Sequence, residues 1–422
     1  MSKEYDILII GATGYTGGLL VEYIGIHKVA PSLRIALGGR TLSKVQELAN
    51  KSSHLTAVHV DVSDPGSVDA AVSKSRVVIN LAGPYWTYGS TVVRFCAFHG
   101  VHYVDLTGEP YWVAKIIEEY DYLAHKTGAC IVPASGFDSI PSDLAAYLSV
   151  QTLEKKLLGS GIPIPLDIKS VGAHTVKGFG ISGGTAATMF SELEEVPASA
   201  QAKGTGWGLS PIPGPPGYSA LPKILYSLPH LRPTIYGGFF PMSPPNEAIV
   251  RRSWGLRELR RRGSSPPNTF SYHEFMPTRS AVGGVLLSLT WYTIFTALAL
   301  LPPVRWLAKR ILPASGGGPP RDKLESGSFR VVNVAEANGV VAKSVVRGRG
   351  DPGYYLTAWM IFESALLLLD SNNLTPIGRE GGILTPTTAF GDKLAKALVD
   401  TGKFETSSEL LVEGGEESKK TR

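Results

Sequence analysis

The feature that most constrains the fold is a glycine-rich turn near the start of the chain. Residues 6–10 form a continuous apolar run, and residues 11–17 read Gly-Ala-Thr-Gly-Tyr-Thr-Gly before a helical pattern begins. A run of this kind predicts a parallel strand buried on both faces. Glycines at this spacing let the backbone approach a pyrophosphate at the N-terminus of the helix. Strand, turn and helix in this order predict a dinucleotide-binding domain, with an ordinary tight turn as the alternative.

The end of the second predicted strand indicates which dinucleotide binds. Residues 34–37 lead into Gly38-Gly39 and then Arg40 and Thr41, with Lys44 close behind. A domain that binds NAD carries an acid here for the ribose 2′-hydroxyl, whereas a guanidinium suits a 2′-phosphate. We therefore expect NADP, with NAD less favoured and a solvated basic turn as the alternative.

The next two strands end on residues that would complete such a site. Asp61 lies at the end of residues 57–62, where an acid can meet the adenine amino group, and residues 77–81 lead into two small residues that let a cofactor pass. Strand ends arranged in this way predict a doubly wound parallel sheet with its ligand at the carboxyl ends of the strands. The predicted cofactor contacts all lie in these turns: Gly11, Thr13, Gly14, Tyr15, Thr16, Gly17, Arg40, Thr41, Lys44, Asp61, Ala82 and Gly83.

Further motifs carry a family resemblance. Residues 85–89 (Tyr-Trp-Thr-Tyr-Gly), 103–110, 135–143, 182–185 and 381–386 together resemble the saccharopine dehydrogenase-like oxidoreductases, which are similar to the bacterial trans-acting enoyl reductases of lipid biosynthesis. The resemblance spans nearly the whole chain, with its most specific motifs in the first 145 residues. It implies a Rossmann domain, a mixed α/β second domain and an association with membranes or lipid droplets. It does not define the reaction.

Three residues near the strand ends are candidates for the chemistry. Hydride transfer needs a polar group beside the reacting atoms and a dry pocket. Glu109 and Asp138 follow strand-like runs, and Tyr85 follows the run that ends at residue 84. For both acids the alternative is a helix cap or a turn, and Tyr85 has the alternative of lining the pocket. No metal site is predicted, because Cys96 and Cys130 lack metal-ligand spacing and indicate reduced thiols.

An uncharged apolar segment distinguishes the second half of the chain. No charge occurs over residues 280–304, which would be long enough to cross a bilayer as a helix. An arginine-rich stretch at residues 251–262 precedes it and further basic residues follow, which favours anionic lipid headgroups. Basic residues on both flanks give no orientation for a single span. We expect a monotopic segment that lies in the membrane interface, with a buried core helix as the alternative.

The patterns define a domain organisation. Residues 1–137 form the Rossmann domain, and helices at about 354–402 are expected to pack back on it. Residues 138–350 form the second domain, in which Asn338-Gly339 between two alternating runs predicts a β-hairpin. Residues 406–422 are charged and apolar-poor, and we expect a disordered tail.

The resulting hypothesis is an NADP-dependent oxidoreductase that reduces a C=C or C=O group of a lipid-like substrate, in lipid or glycolipid biosynthesis. The alternative is a dinucleotide-binding sensor or scaffold without turnover. We expect a cytosol-facing protein on a membrane, with lipid droplet, plasma membrane and mitochondrion all open. The formal net charge of +5 is concentrated in one stretch, which argues against nucleic acid as a partner. A homodimer is left open.

Overall fold

Two sheets with helices packed around them form the framework of the protein. A computed structural model describes the chain over residues 3–160, 166–178, 180–215, 223–228, 230–261, 268–314 and 316–411.

The first part of the chain alternates strands and helices. Its elements are β1 (Tyr5–Ile10), α1 (Tyr15–Ile26), β2 (Ile35–Gly39), α2 (Leu42–Ala49), β3 (Leu55–His59), α3 (Pro65–Val72), β4 (Ser75–Asn80), α4 (Tyr85–His99), β5 (His102–Asp105), α5 (Pro110–Thr127) and β6 (Cys130–Val132).

The middle of the chain is less regular. Its elements are α6 (Ile140–Gly159), β7 (Asp167–Lys177), α7 (Gly183–Glu194), α8 (Ala198–Lys203), β8 (Tyr226–Leu228), β9 (Ile235–Gly238), α9 (Ser243–Arg261), β10 (Thr269–Thr278), α10 (Ala281–Leu300), α11 (Pro302–Ile311), α12 (Arg321–Ser326), β11 (Ser328–Ala337) and β12 (Val340–Arg349). The last part contains α13 (Thr357–Leu368), α14 (Pro376–Glu380), β13 (Gly382–Ile383), α15 (Pro386–Phe390), α16 (Asp392–Asp400) and β14 (Phe404–Leu411).

The first sheet is parallel throughout its described strands, in the order β13-β6-β5-β4-β1-β2-β3. Its central strand is buried on both faces, because Ile7 and Ile9 pack into one core and Leu8 and Ile10 into another. The continuous apolar run at the start of the chain has therefore formed the strand that it predicts.

The second sheet is mixed, in the order β14-β12-β11-β7-β10-β9-β8 over the described residues. β10 pairs with β7 in parallel, and the other neighbours are antiparallel. The hairpin predicted at Asn338-Gly339 is confirmed, because β11 and β12 pair along their whole lengths around these two residues. Asn338 and Gly339 have φ of 50° and 75°, the left-handed pair that a tight two-residue hairpin requires.

The C-terminal helices lie against the first sheet. Tyr23 of α1 stacks on Trp359 of α13 with ring centroids 4.0 Å apart, and its hydroxyl donates a 2.6 Å hydrogen bond to buried Glu363. β13 adds to the edge of the sheet beside β6. The first domain thus takes part of its core from the far end of the chain.

The expectation of a disordered tail over residues 406–422 is wrong for its first part. Residues 404–411 form β14, which pairs with β12 from Phe404 opposite Gly348 to Leu411 opposite Val341. The edge of β12 offers backbone donors and acceptors, so a segment of polar composition becomes ordered by pairing with it. Residues 412–422 lie outside the described residues.

The expectation that the stretch 251–262 faces a membrane is wrong for its first two arginines. Arg251 and Arg252 are only 2% and 3% exposed. Arg252 donates to the carbonyl oxygens of Leu209, at 2.6 Å, and Ile383, and burial lowers its pKa to about 10. The regular helix α9 turns these side chains inward, where backbone carbonyls offset the cost of burying charge. Arg262 lies outside the described residues.

We expect Arg252→Met to lower the free energy of unfolding by about 3 kcal/mol, because it leaves two buried carbonyls without their charged donor. Denaturant titration measures this change. The control is Arg260→Met, which removes an exposed ion pair with Glu380 and should cost less than about 1 kcal/mol. Equal losses in the two variants would contradict the structural role of Arg252.

Candidate functional site

One cavity of about 1090 Å³ connects the first sheet with the second domain. It begins at the glycine turn, passes the carboxyl ends of β3, β4 and β5, and reaches the second half of α10. Every predicted cofactor and catalytic residue lines this cavity except Thr41 and Lys44. Those two are exposed at the start of α2, beside the cavity end that holds Arg40.

The glycine turn has the shape of a cradle for a phosphate group. Gly11 has a φ of +84°, and a Cβ there would lie 3.0 Å from the backbone of Leu81. At Gly17 a Cβ would lie 2.5 Å from the carbonyl oxygens of Gly11 and Ala12, so only glycine lets α1 pack this closely on the turn. Gly14 occupies the N-cap position of α1. The turn therefore presents backbone N–H groups and a helix N-terminus to the cavity, as a pyrophosphate requires.

Arg40 and Asp61 lie at the adenosine end of the cavity. Arg40 follows β2 directly and is exposed. Asp61 accepts hydrogen bonds from the side chain and the backbone N–H of Ser63, at 2.6 and 3.0 Å. These bonds, followed by the nearby charge of Arg40, lower the pKa of Asp61. The Arg40 guanidinium suits a ribose 2′-phosphate, and the ordered Asp61 carboxylate suits the adenine amino group.

Tyr15 is held by a segment from outside the first domain. Its hydroxyl donates a 2.5 Å hydrogen bond to the carbonyl oxygen of Pro319, and a Cβ at Gly318 would lie 2.5 Å from its ring. On the other side its ring meets Tyr354 edge to face, with centroids 5.3 Å apart. The segment that follows α11 therefore covers part of the glycine turn.

Tyr85 has its hydroxyl committed to the main chain. It donates to the carbonyl oxygen of Asn80 at 3.0 Å and accepts from the N–H of Leu106 at 3.1 Å. Burial raises its pKa well above the ordinary value. This bonding leaves the hydroxyl no proton for a substrate, so the ring lines the cavity, the alternative that the sequence left open.

The side chain of Glu109 caps helix α4 and not α5, the helix that follows it in sequence. Its two carboxylate oxygens each accept a 2.8 Å hydrogen bond from the backbone, from the N–H groups of Tyr85 and Trp86 at the start of α4. Burial raises its pKa to about 7, partly offset by these bonds. Glu109 thus stabilises the N-terminus of α4, and its carboxylate forms one wall of the cavity.

Asp138 is an acid that lines the cavity. Its carboxylate makes no hydrogen bond to any residue in the described ranges, and a Cβ on neighbouring Gly108 would lie 3.2 Å from its Oδ2. Burial raises its pKa to about 6. A carboxyl group with a pKa raised into this range carries its proton in weakly acidic solution, where it can act as a general acid.

The sequence analysis missed Tyr354. This residue precedes α13, lines the cavity, and its hydroxyl accepts a 2.6 Å hydrogen bond from the N–H of Ser182 and lies 2.8 Å from the hydroxyl of Thr185. Local pattern gave no signal, because the tyrosine reaches the site only through the return of the C-terminal part of the chain to the first sheet.

We expect Arg40→Ala to weaken NADPH binding about 10- to 100-fold and to change NADH binding less than about twofold. The reason is that a charge-assisted hydrogen bond to the 2′-phosphate contributes about 1.5–3 kcal/mol, and NADH lacks this group. Isothermal titration calorimetry measures both affinities. Lys51→Ala, on the exposed surface after α2, is the control. A similar loss for both nucleotides would contradict the assignment.

The chain is similar in sequence to proteins whose family is known. The model of the saccharopine dehydrogenase NADP binding domain matches residues 7–132. Trans-acting enoyl reductases of Mycobacterium bovis and Mycobacterium tuberculosis are 30% identical over 429 residues, which cover 95% of this chain and 97% of each relative. A second Mycobacterium tuberculosis protein, which carries the same name provisionally, is 33% identical over 95% of this chain and 96% of its own length.

A solved structure agrees with the fold. The apo, histidine-tagged saccharopine dehydrogenase (L-Glu forming) of Saccharomyces cerevisiae aligns over 97% of this chain and 100% of its own, with a TM-score of 0.50 and 12% identity. At this identity the likeness concerns the fold alone. The dinucleotide predicted from Arg40 is confirmed as NADP by the matched domain. This chain belongs to the saccharopine dehydrogenase-like oxidoreductases and is an NADP-binding enzyme whose homologues are named enoyl reductases.

Proposed function

We propose that this enzyme uses NADPH to reduce a carbonyl-conjugated C=C bond of a lipid-like substrate at a membrane or lipid-droplet surface. The observation that carries the proposal is the extent of the cavity, which begins at the glycine turn and ends at α10. The names of the relatives favour C=C over C=O as the reduced group. A step in lipid or glycolipid biosynthesis would use such a reaction.

Helix α10 supports the membrane part of the proposal. It is 20 residues long and apolar enough to cross a membrane by length and composition. Only 17% of its most apolar 18-residue stretch is buried. Val282, Leu286 and Leu300 are 69%, 60% and 70% exposed. A core helix would bury these side chains, so their exposure argues against the alternative of a core helix. An exposed apolar surface of this size suits a lipid phase.

The other side of α10 faces the protein. Its first half packs on β9, where a Cβ at Gly284 would lie 2.5 Å from the carbonyl oxygen of Gly237. Its second half supplies Tyr292, Phe295 and Leu298 to the cavity wall. Helix α10 thus lies between the cavity and the exterior, and its exposed leucines face the exterior.

A monotopic placement fits the topology better than a span. β7 precedes α10 along the chain and β11 follows it, yet the two strands pair side by side in one sheet. A single crossing would put these neighbours on opposite sides of a bilayer. Helix α11 adds Arg305, Lys309 and Arg310 beside the apolar surface, and these cations suit anionic headgroups.

The chemistry needs few groups from the protein. Bound NADPH would supply a hydride to the carbon β to the carbonyl, and the glycine turn and Arg40 would hold it. The α carbon then requires one proton, which the protonated carboxyl of Asp138 would give. Tyr354 and Tyr85 would exclude water from this end of the cavity, while apolar side chains of the far end would hold the acyl chain.

The direct test is oxidation of NADPH by the purified protein in the presence of vesicles that contain a trans-2-enoyl lipid. We expect loss of absorbance at 340 nm together with formation of the saturated lipid, detected by mass spectrometry. The matched control is the same lipid with a saturated chain. Absence of turnover with every enoyl chain length, while NADPH binding persists, would overturn the proposal.

The pKa of Asp138 predicts the pH dependence of this reaction. Because burial raises this pKa to about 6, the Asp138 carboxyl is fully protonated well below pH 6 and loses its proton as the pH rises through 6. We expect the rate to fall above pH 6 by up to tenfold per unit. Asp138→Asn should lower kcat at least about 100-fold and abolish this fall. Asp400→Asn, on an exposed face of α16, should change neither; an unaltered pH profile in Asp138→Asn would contradict the assignment.

We expect Leu286→Asp to reduce binding to anionic phospholipid vesicles about tenfold or more, because it puts a charge where the exposed Leu286 side chain would contact lipid. Vesicle co-sedimentation measures the bound fraction. Leu158→Asp is the matched control, since Leu158 is 59% exposed on α6, away from α10. Equal partition of both variants and the wild type would show that α10 does not contact lipid.

A further inference from the structure

A polar cluster interrupts the apolar end of the cavity beside α10. It consists of Glu247 on α9, His273 on β10, Tyr226 on β8 and Tyr292 on α10, which all line the cavity. The mechanism above uses none of them. Burial, the adjacent Tyr292 hydroxyl and the Glu247 charge raise the pKa of Tyr226. Polar groups in so apolar a place carry a desolvation cost, which a polar ligand would offset.

The carboxylate of Glu247 is anchored and its charge is offset. It forms an ion pair with Arg251, and it accepts a 3.2 Å hydrogen bond from the backbone N–H of Glu274. Arg251 also donates to the carbonyl oxygens of Gly206, at 3.1 Å, and Tyr272, at 2.8 Å. Because carboxylate and guanidinium lie together, the cluster does not attract ions of either sign strongly.

The imidazole of His273 is oriented toward the cavity. Its Nδ1 lies 3.6 Å from a carboxylate oxygen of Glu247, and the side chain is 26% exposed. Within the described ranges its Nε2 makes no hydrogen bond. An imidazole nitrogen without a hydrogen-bond partner can donate to or accept from a polar group of a ligand in the cavity.

We propose that His273 and Glu247, with the Tyr226 hydroxyl, bind an uncharged hydroxyl- or carbonyl-bearing group of the lipid substrate. The Tyr292 hydroxyl donates a 2.8 Å hydrogen bond to the carbonyl oxygen of Lys223, so it can only accept a hydrogen bond from such a group. This inference deepens the proposed function and rests on it for the identity of the ligand as a lipid. Imidazole, phenol and carboxylate groups supply both hydrogen-bond donors and acceptors, as a hydroxyl group requires. A charged headgroup would lose its hydration without a counter-ion, which disfavours it.

Such a subsite would set the position of the chain. The substrate would be held at one point by the polar cluster beside α10 and would present its double bond at a second point, near Asp138. The separation of the two points, rather than the apolar wall, would then decide which bond reacts, because apolar contacts let a chain slide.

The test measures binding rather than turnover. A fluorescent fatty-acyl probe is displaced from the full-length protein by a monoacylglycerol, by the methyl ester of the same chain, or by the free fatty acid. We expect the wild type to prefer the monoacylglycerol, which carries two free hydroxyls, about tenfold over the methyl ester. His273→Phe keeps the ring volume and should abolish this preference. His273→Gln, which restores a donor, should recover part of it.

The control is His230→Phe, which removes a histidine paired with Glu336 outside the cavity and should leave the preference intact. Thermal unfolding establishes that each variant is folded. An equal preference in the wild type and His273→Phe would overturn the subsite, and so would tightest binding of the free fatty acid. Failure of NADPH oxidation with a preserved, His273-dependent preference would overturn the proposed function and leave the subsite standing.

Discussion

The antiparallel pairing of β11 with β7 is the constraint on which the rest of the structure depends. These strands lie on either side of α10 and α11 along the chain, and they are in register from Ser328 opposite Lys177 to Glu336 opposite Lys169. The pairing brings both ends of the apolar segment to one face of the second domain. It forces α10 to lie along the protein surface, where one side closes the cavity and the other is exposed.

Much of the fold could be predicted from the sequence where the signal is local. The strand ending at Ile10, the glycine turn and the hairpin at Asn338-Gly339 each depend on residues close along the chain, and each formed as expected. The burial of Arg251 and Arg252 could not be predicted because the backbone carbonyls that accept their hydrogen bonds lie far away in sequence, although Arg251 also pairs with Glu247 one turn before it. β14 was missed because its order comes from the free edge of β12, not from its own composition.

The residues of the candidate site also fall into those that a local sequence signal predicts and those that it does not. The glycines and Arg40 could be found because a dinucleotide imposes a short motif on the chain, and Asp138 because it lies in the loop after β6. The roles of Glu109 and Tyr85 could not be predicted, because each role depends on the main-chain groups that the folded chain brings next to the side chain. Tyr354 and His273 reach the cavity from distant elements, and no spacing rule connects them to the first domain.

The contact between Tyr15 and the segment after α11 has a mechanical consequence. The chain that leaves the exposed helices crosses directly over the glycine turn, where Pro319 accepts the Tyr15 hydroxyl and Gly318 lies against its ring. Only a short tether therefore separates the part of the molecule that would rest on lipid from the lip of the nucleotide cleft. A displacement of α11 would act on that lip, so the position of the exposed helices and the exchange of the cofactor would be linked.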